Sequence, residues 1–112
     1  MEERISGKSI IRSQRFIDDR NDIYEYTFDT FGYSQAERYN RKIENAIESL
    51  SGFYLSYPEC RHLATKSRMY RNIILDAHLI IYRITHKRIE VLDIIHSASS
   101  IQKIRGVRKI QI

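Results

Sequence analysis

The feature that most constrains this chain is a series of three apolar segments, rich in β-branched residues, within residues 67–96. Two short polar breaks, Asp76-Ala77 and His86-Lys87, separate the three segments. Segments of this length joined by two-residue breaks are typical of antiparallel strands connected by tight turns. We therefore predict a three-stranded antiparallel meander, in which two-residue turns place Arg83 opposite Glu90.

The first half of the chain carries helical periodicity. Residues 8–12 are predicted to form a short strand and residues 14–31 a helix that ends at Gly32. Residues 34–37 (Ser-Gln-Ala-Glu) have the spacing of a capping box and are predicted to begin a second helix. Because the connection between the two helices is so short, they are predicted to be antiparallel. The apolar positions are Ile17, Ile23, Tyr24, Thr27, Phe28 and Phe31 in the first helix, and Ala36, Tyr39, Ile43, Ala46, Ile47, Leu50 and Phe53 in the second.

These elements predict an α+β fold in the order β-α-α-β-β-β, with the helical hairpin packed on a mainly antiparallel sheet. The length of 112 residues suits one domain, so residues 1–112 are expected to form a single unit. A short basic C-terminal tail or helix is predicted to follow, starting at Ser99 or Ser100 and weakened by Gly106.

Both faces of the predicted strands carry apolar side chains, and a helical hairpin can cover only one of them. The second face is therefore expected to need cover from the tail or from a partner chain, and the tail is expected to be frayed or ordered by that partner. In the predicted register, one face carries Leu79, Ile81, Leu92 and Ile94, and the other carries Ile80, Tyr82, Val91 and Ile95.

The two halves of the chain differ in charge. Residues 1–58 contain eight Lys/Arg and ten Asp/Glu, whereas residues 59–112 contain eleven and four, so net charges of −2 and +7 give the total of +5. A basic half indicates an anionic partner, either nucleic acid or an acidic protein segment; the alternative is a charge that serves solubility alone. In the tail, no acidic residue compensates Lys103, Arg105, Arg108 and Lys109.

Several classes of protein are not indicated. The single cysteine, Cys60, has no internal disulfide partner and is expected to be a small buried residue. The N-terminus has no apolar segment typical of a signal peptide, and no apolar run approaches the roughly 18 residues of a membrane span, so a cytoplasmic protein without membrane contact is expected. No metal or cofactor is expected, because the sequence has no glycine-rich phosphate loop and no ligand spacing among His62, His78, His86 and His96.

Several short blocks along the chain, together with their spacing, resemble the RelE/ParE toxins of type II toxin-antitoxin systems over residues 8–110. The blocks are Asp22 to Tyr26, Ala36, Tyr39, Pro58, Tyr70-Arg71, Ile81 to Ile84, and Ile94 to His96. The resemblance implies a toxin that stabilises a plasmid or replicon and is neutralised by a cognate antitoxin. It also implies that a disordered segment of the antitoxin folds on the surface of the toxin. The toxin is then expected to form a homodimer or a heterotetramer with the antitoxin.

The family has two functional classes, and the resemblance implies different roles for the same residues in each. RelE-type members are ribosome-dependent mRNA endonucleases, for which this chain offers Arg71, Arg83 and His96 as phosphate-holding and acid/base groups. ParE-type members inhibit DNA gyrase by binding. Leu79, Ala98 and Ser99 stand where arginines are common among relatives, so we favour the ParE-like interpretation and a toxin that is not an enzyme, with the endonuclease as the alternative. The predicted partner-binding residues are Arg71, Arg83, His96, Lys103, Arg105 and Arg108.

Two of the three candidate groups, Arg83 and His96, also have structural interpretations. Arg83 is expected to form a cross-strand ion pair with Glu90. His96 is expected to be a strand-end residue bonded to backbone rather than a general base.

Overall fold

The computed structural model describes residues 7–112 and confirms the α+β class. Residues 1–6, to which the expectation about an N-terminal targeting segment partly refers, lie outside that range. The sheet has the strand order β1-β4-β3-β2, in which β1 runs parallel to β4 and the other neighbours are antiparallel. The elements are β1 (Ser9–Arg12), α1 (Gln14–Phe31), α2 (Tyr33–Phe53), β2 (Tyr70–Leu75), β3 (His78–Ile84), β4 (Arg88–His96), α3 (Ile101–Gly106) and a 3₁₀ turn (Val107–Lys109).

The helical hairpin is held at both of its ends. At the start of α1, the Ser13 hydroxyl accepts a hydrogen bond from the Phe16 amide and donates one to the Leu92 carbonyl, which joins the helix to β4. Gly32, with a φ of +93°, is the single residue between the helices, and this left-handed conformation favours glycine. The predicted capping box is wrong, because α2 already begins at Tyr33 and no side chain caps it.

The register of the meander is as predicted around its first turn, where Ile73 lies opposite Ile80, and near its second turn. Arg83 lies opposite Glu90 as expected, but the pairing shifts by one residue between Ile81 and Tyr82, where Leu92 is an extra residue in β4. This β-bulge moves the following side chains to the other face. Ile94 therefore faces the helices and Ile95 faces away from them, the reverse of the prediction.

The face of the sheet that carries the helical hairpin holds the larger apolar cluster. Phe16 and the α2 stripe pack there against alternate residues of the strands, as the periodicity predicted. The end of α1 departs from the prediction, because Phe28 and Phe31 are exposed. The buried members of this cluster are Phe16, Ile43, Ile47, Leu50, Tyr54, Ile73, Leu75, Ile80, Tyr82, Ile89, Val91 and Ile94.

The opposite face of the sheet is covered by the chain itself, so of the two covers expected for this face, the tail or a partner chain, it is the tail that packs there. Ser100 caps α3 by accepting a hydrogen bond from the Lys103 amide, and α3 with the 3₁₀ turn then packs back on the strands. The expectation of a frayed tail is wrong for the same reason, since Ile104 and Val107 are buried. The buried members of this second cluster are Cys60, Leu63, Tyr70, Ile81, Leu92, Ile95, Ile104 and Val107.

Candidate functional site

Arg83 is committed to a network that fastens the C-terminal segment to the sheet. Its guanidinium donates to Glu90 at 2.7 Å (Nε to Oε1) and to the carbonyls of Arg108 and Ile110 at 3.4 and 3.2 Å. Arg88 donates to the second Glu90 oxygen at 3.0 Å. Burial alone would raise the pKa of Glu90, but the hydrogen bonds from both arginines outweigh it and hold the pKa below its usual value. Arg83 therefore performs a structural task that leaves little of its guanidinium for a ligand.

Arg71 also binds backbone. Its Nη1 donates to the carbonyls of Leu55 and Tyr57 at 3.0 Å each, and its Nε donates to the Arg68 carbonyl at 3.3 Å. These bonds attach the segment that follows α2 to the edge strand β2. The side chain thus holds the long connection between the helical hairpin and the meander in place.

His96, at the end of β4, is paired with His78, at the start of β3. The two imidazole rings meet edge to face with centroids 5.8 Å apart, and the Tyr39 hydroxyl lies 2.7 Å from Nδ1 of His78. His96 is exposed, and its Nδ1 accepts a hydrogen bond from the Ala98 amide at 3.0 Å. Burial and the neighbouring His96 lower the pKa of His78, so this imidazole is neutral near pH 7.

The three residues proposed for catalysis do not converge. Arg71 pairs with Tyr82 and Arg83 pairs with Tyr70, so these neighbouring arginines point to opposite faces of the sheet. His96 lies opposite His78, five residues along β3 from Arg83, a distance of about 17 Å at the rise of an antiparallel strand. The structure therefore brings His96 together with Tyr39 and His78, and with neither arginine.

A cleft of about 590 Å³ opens beside this histidine pair. It lies between the closing end of the helical hairpin and the β2–β3 turn, and we call it the aromatic cleft. Tyr26 and Phe31 are each 66% exposed, which is unusual for large apolar side chains and is typical of a binding surface. Two carboxylates, Asp22 and Asp76, also line it. The residues that define the aromatic cleft are Ile23, Tyr26, Phe31, Tyr39, His78 and His96.

The tail cations proposed for partner binding are exposed. Lys103, Arg105 and Arg108 all lie on α3 or the 3₁₀ turn with side chains toward solvent. Within residues 7–112, none of the three has a carboxylate within salt-bridge distance. The backbone carbonyl of Arg108 accepts from Arg83, so the cations are displayed on a fixed segment.

Sequence reasoning missed the pairing of His78 with His96. Two-residue turns alone would set Ile95 opposite His78, and only the β-bulge at Leu92 brings His96 there. A bulge of this kind needs no glycine or proline, so the sequence carries no local signal for it. The exposed aromatic residues were missed because they continue the helical periodicity of α1, which does not show where the sheet beneath the helix ends.

The described part of the chain contains no cluster of three His, Cys, Asp or Glu side chains that could hold a metal ion. Cys60 is buried as expected, and burial raises the pKa of its thiol to about 11. No helix within residues 7–112 is long and apolar enough to cross a membrane.

Comparison with known proteins gave matches to both the sequence and the fold. Residues 10–101 match the family described as the ParE toxin of the type II toxin-antitoxin system parDE. The fold is similar to a chain in the structure of a chromosomal ParDE toxin-antitoxin system from P. aeruginosa, with 16% identity and a TM-score of 0.67. That similarity covers 82% of this chain and 98% of the other. No curated protein sequence matches.

Proposed function

The chain belongs to the ParE toxin family, and we propose that this toxin acts by binding and inhibiting a protein target rather than by cleaving RNA. It is the toxin component of a type II toxin-antitoxin system, and its partner is a cognate antitoxin. The family assignment leaves the mode of action, the target and the binding surface to be argued from the residues.

The separation of the three candidate catalytic side chains is the observation that carries this proposal. Cleavage of RNA through the ribose hydroxyl needs an acid, a base and a phosphate-holding cation within hydrogen-bond reach of one phosphate. Arg71 and Arg83 point to opposite faces, and Arg83 lies about 17 Å along the sheet from His96. Both guanidinium groups already donate to backbone carbonyls. An arrangement of this kind supports a structural role for each arginine.

The aromatic cleft is the surface that we assign to protein binding. Its exposed Tyr26 and Phe31 offer large apolar area with a polar rim, which is the composition of binding hot spots. His96, from the predicted partner-binding set, lies in this cleft, whereas the exposed cations Lys103, Arg105 and Arg108 lie on the C-terminal segment. This proposal does not need an uncovered sheet face.

DNA gyrase is the target that we propose, because resemblance to ParE-type toxins implies it. The protein then acts in the cytoplasm, where both gyrase and the antitoxin are found, and the antitoxin silences it in a heteromeric complex. Growth arrest on expression, relieved by expression of the adjacent antitoxin gene, is the first expected result.

Two assays on purified toxin separate inhibition from cleavage. We expect supercoiling by gyrase to be inhibited with a dose that saturates near one toxin per target, and ribosome-bound mRNA to remain intact. Cleaved mRNA with unimpaired supercoiling would refute the proposal. If expression still arrested growth but supercoiling was unimpaired and mRNA stayed intact, gyrase would be refuted as the target.

Variants of the aromatic cleft test the surface. Tyr26→Ser and Phe31→Ser remove exposed side chains, so we expect stability within about 0.5 kcal/mol of the parent. Each should weaken binding to the target or to the antitoxin by about tenfold or more, as for a hot-spot residue. The matched control is Ile74→Ser, since Ile74 is 67% exposed on β2 but lies outside the cleft. An equal effect of all three variants would contradict the assignment.

A second function, that of an endonuclease, is kept because Tyr39, His78 and His96 meet at one cleft. A neutral imidazole beside a hydroxyl and a second imidazole can carry out acid/base chemistry near pH 7. His96→Gln tests this function, because the exposed side chain can be replaced without loss of fold. Loss of mRNA cleavage in His96→Gln would establish it, and the absence of cleavage products in the parent would exclude it.

A further inference from the structure

A second cavity, of about 390 Å³, lies between the start of α1, the bulged part of β4 and the C-terminal segment. We call it the cationic cavity. Its charged lining residues come from four elements: Arg15 from α1, Asp93 from β4, Lys103 from α3 and Lys109 from the 3₁₀ turn. The aromatic cleft and this cavity share no residue.

The three cations of the cavity are not neutralised by close ion pairs. Within the described part of the chain, Arg15, Lys103 and Lys109 have no carboxylate within salt-bridge distance, and all three side chains are exposed. The arginines on the nearby strands differ, because Arg12 is paired with Glu44 and Arg83 with Glu90. The fold therefore gathers three exposed cations without close carboxylates at this cavity, unlike the paired arginines of the neighbouring strands.

Asp93 forms part of the cavity wall and is only 1% exposed. One of its oxygens accepts a hydrogen bond from the Ile94 amide at 2.9 Å. Burial, followed by the hydrogen bond and the charge of Asp19, raises the pKa of Asp93 to about 8, while Arg15 opposes the shift. At pH 7 Asp93 is therefore largely protonated, and its carboxyl group is hydrogen-bonded to the neighbouring Asp19.

We propose that the cationic cavity binds the phosphoryl oxyanion of a phosphate-bearing ligand. Its lining carries three cations, and burial keeps Asp93, the only carboxyl group of the lining, largely protonated at pH 7. A guanidinium fork and two ammonium groups suit the several oxygens of a phosphoryl group better than the two oxygens of a carboxylate. The cavity is large enough for a nucleoside attached to the phosphate.

This inference does not depend on the proposed inhibition of gyrase. The family match ends at residue 101, before Lys103 and Lys109. The cavity combines those two residues with Arg15 only because α3 returns to the sheet beside the start of α1. A phosphate site here would give the toxin a contact with a nucleic-acid backbone or a nucleotide in addition to its protein partners.

The test is a titration of the full-length protein with inorganic phosphate in chloride buffer of constant ionic strength, followed by amide NMR shifts. We expect saturable shifts at the amides of Asp93, Lys103 and Lys109. Arg15→Gln, Lys103→Gln and Lys109→Gln should each weaken the affinity about three- to fivefold, as the loss of one exposed charge contact does. The matched control is Lys87→Gln, which removes an exposed cation from the β3–β4 turn. Equal affinity in the parent and Lys103→Gln, or equal weakening by Lys87→Gln, would overturn the proposal.

The pH dependence of the affinity for a nucleoside monophosphate provides a second measurement. Between pH 7 and 9 this monoester, whose second pKa is about 6, is a dianion and lysine keeps its proton, so Asp93 is the group of the cavity wall that ionises. The affinity should fall as Asp93 ionises, and Asp93→Asn, which keeps a donor, should remove most of that fall. A flat profile in the parent would overturn the role given to Asp93 and with it the built site.

Two further probes identify the source of the phosphate. A nucleoside monophosphate that binds as tightly as a short single-stranded oligonucleotide would identify a small ligand. Tighter binding of the oligonucleotide, weakened by the same three variants, would identify a nucleic-acid backbone. Displacement of phosphate by a glutamate-rich peptide at lower concentration than by either probe would instead identify an acidic protein segment and refute the proposal.

Discussion

The two faces of the sheet both carry buried apolar strand residues but are covered in very different ways. Two long helices cover one face, and a six-residue helix, a 3₁₀ turn and the connection after α2 cover the other. Each cover is fastened by a carboxylate that two arginines bind, Glu44 on the helical side and Glu90 on the C-terminal side. The short C-terminal cover buries few apolar residues, so its position depends more on each carboxylate–arginine contact. We therefore expect matched substitutions in the two covers to change stability by different amounts.

Removal of residues 101–112 should have the largest effect. It strips Ile104 and Val107 from the second cluster and exposes Ile81, Leu92 and Ile95. Because a few apolar side chains lose their burial, the free energy of unfolding should fall by about 5 kcal/mol. Urea denaturation measures this change. Unchanged stability with lost partner binding would show that the segment serves a partner and not the core.

Matched truncations compare the two covers directly. Ile47→Ala in α2 and Ile104→Ala in α3 remove the same atoms, but Ile47 lies in the larger cluster and is the more deeply buried. We expect losses of about 4 and about 2 kcal/mol respectively, within the range for such substitutions. Equal losses would mean that the short segment is as well packed as the helical hairpin.

The two bound carboxylates should respond differently to substitution and alike to acid. Glu90→Gln should cost about 2 kcal/mol and Glu44→Gln less than about 1, because Glu90 is more buried and its arginines would be left unpaired. The folded-state pKa of each is lowered, for Glu44 chiefly by its hydrogen bond from Arg12. Each therefore contributes stability that is present above its unfolded pKa of 4.5 and is lost as pH falls through the folded pKa. The midpoints of urea denaturation from pH 7 to pH 3 measure this loss of stability. The loss should be smaller in Glu90→Gln and in Glu44→Gln than in the parent.

The smallest change should be a gain. A Cβ placed at Gly106 would meet no atom within 4 Å, and the residue ends α3 in helical conformation. Gly106→Ala should therefore raise the free energy of unfolding by about 0.5 to 1 kcal/mol. A loss of stability would show that the end of α3 needs glycine, and Gly32→Ala, at a φ of +93°, is the variant for which a loss is expected.

The strands, the helices and the pairing of Arg83 with Glu90 could be predicted because each depends on local periodicity and turn length. The exchange of faces between Ile94 and Ile95 could not, since it depends on one extra residue in β4 whose cause is tertiary. The choice between the tail and a partner chain as the cover of the second face could not be made for a similar reason. Ile104 and Val107 are two apolar residues in a segment of high charge, and only the return of the chain onto the sheet gives them a place to pack.

The candidate sites were less predictable than the fold. Arg71, Arg83 and His96 were named from their residue types, but their directions depend on strand parity and on the position of the bulge. Asp93, one of the two acidic residues of β4, was not named as a site residue, and its burial became visible only with α1 and the C-terminal segment in place.

The parallel pairing of β1 with β4 has a consequence for the order of assembly during synthesis. Ser9 lies opposite Arg88, so the first strand finds its neighbour only after most of the polypeptide has been made. A contact between such distant positions closes a long loop and slows folding. During synthesis the residues of the helical hairpin therefore emerge before the strands on which they pack, and β1 can pair only after β4 has been made.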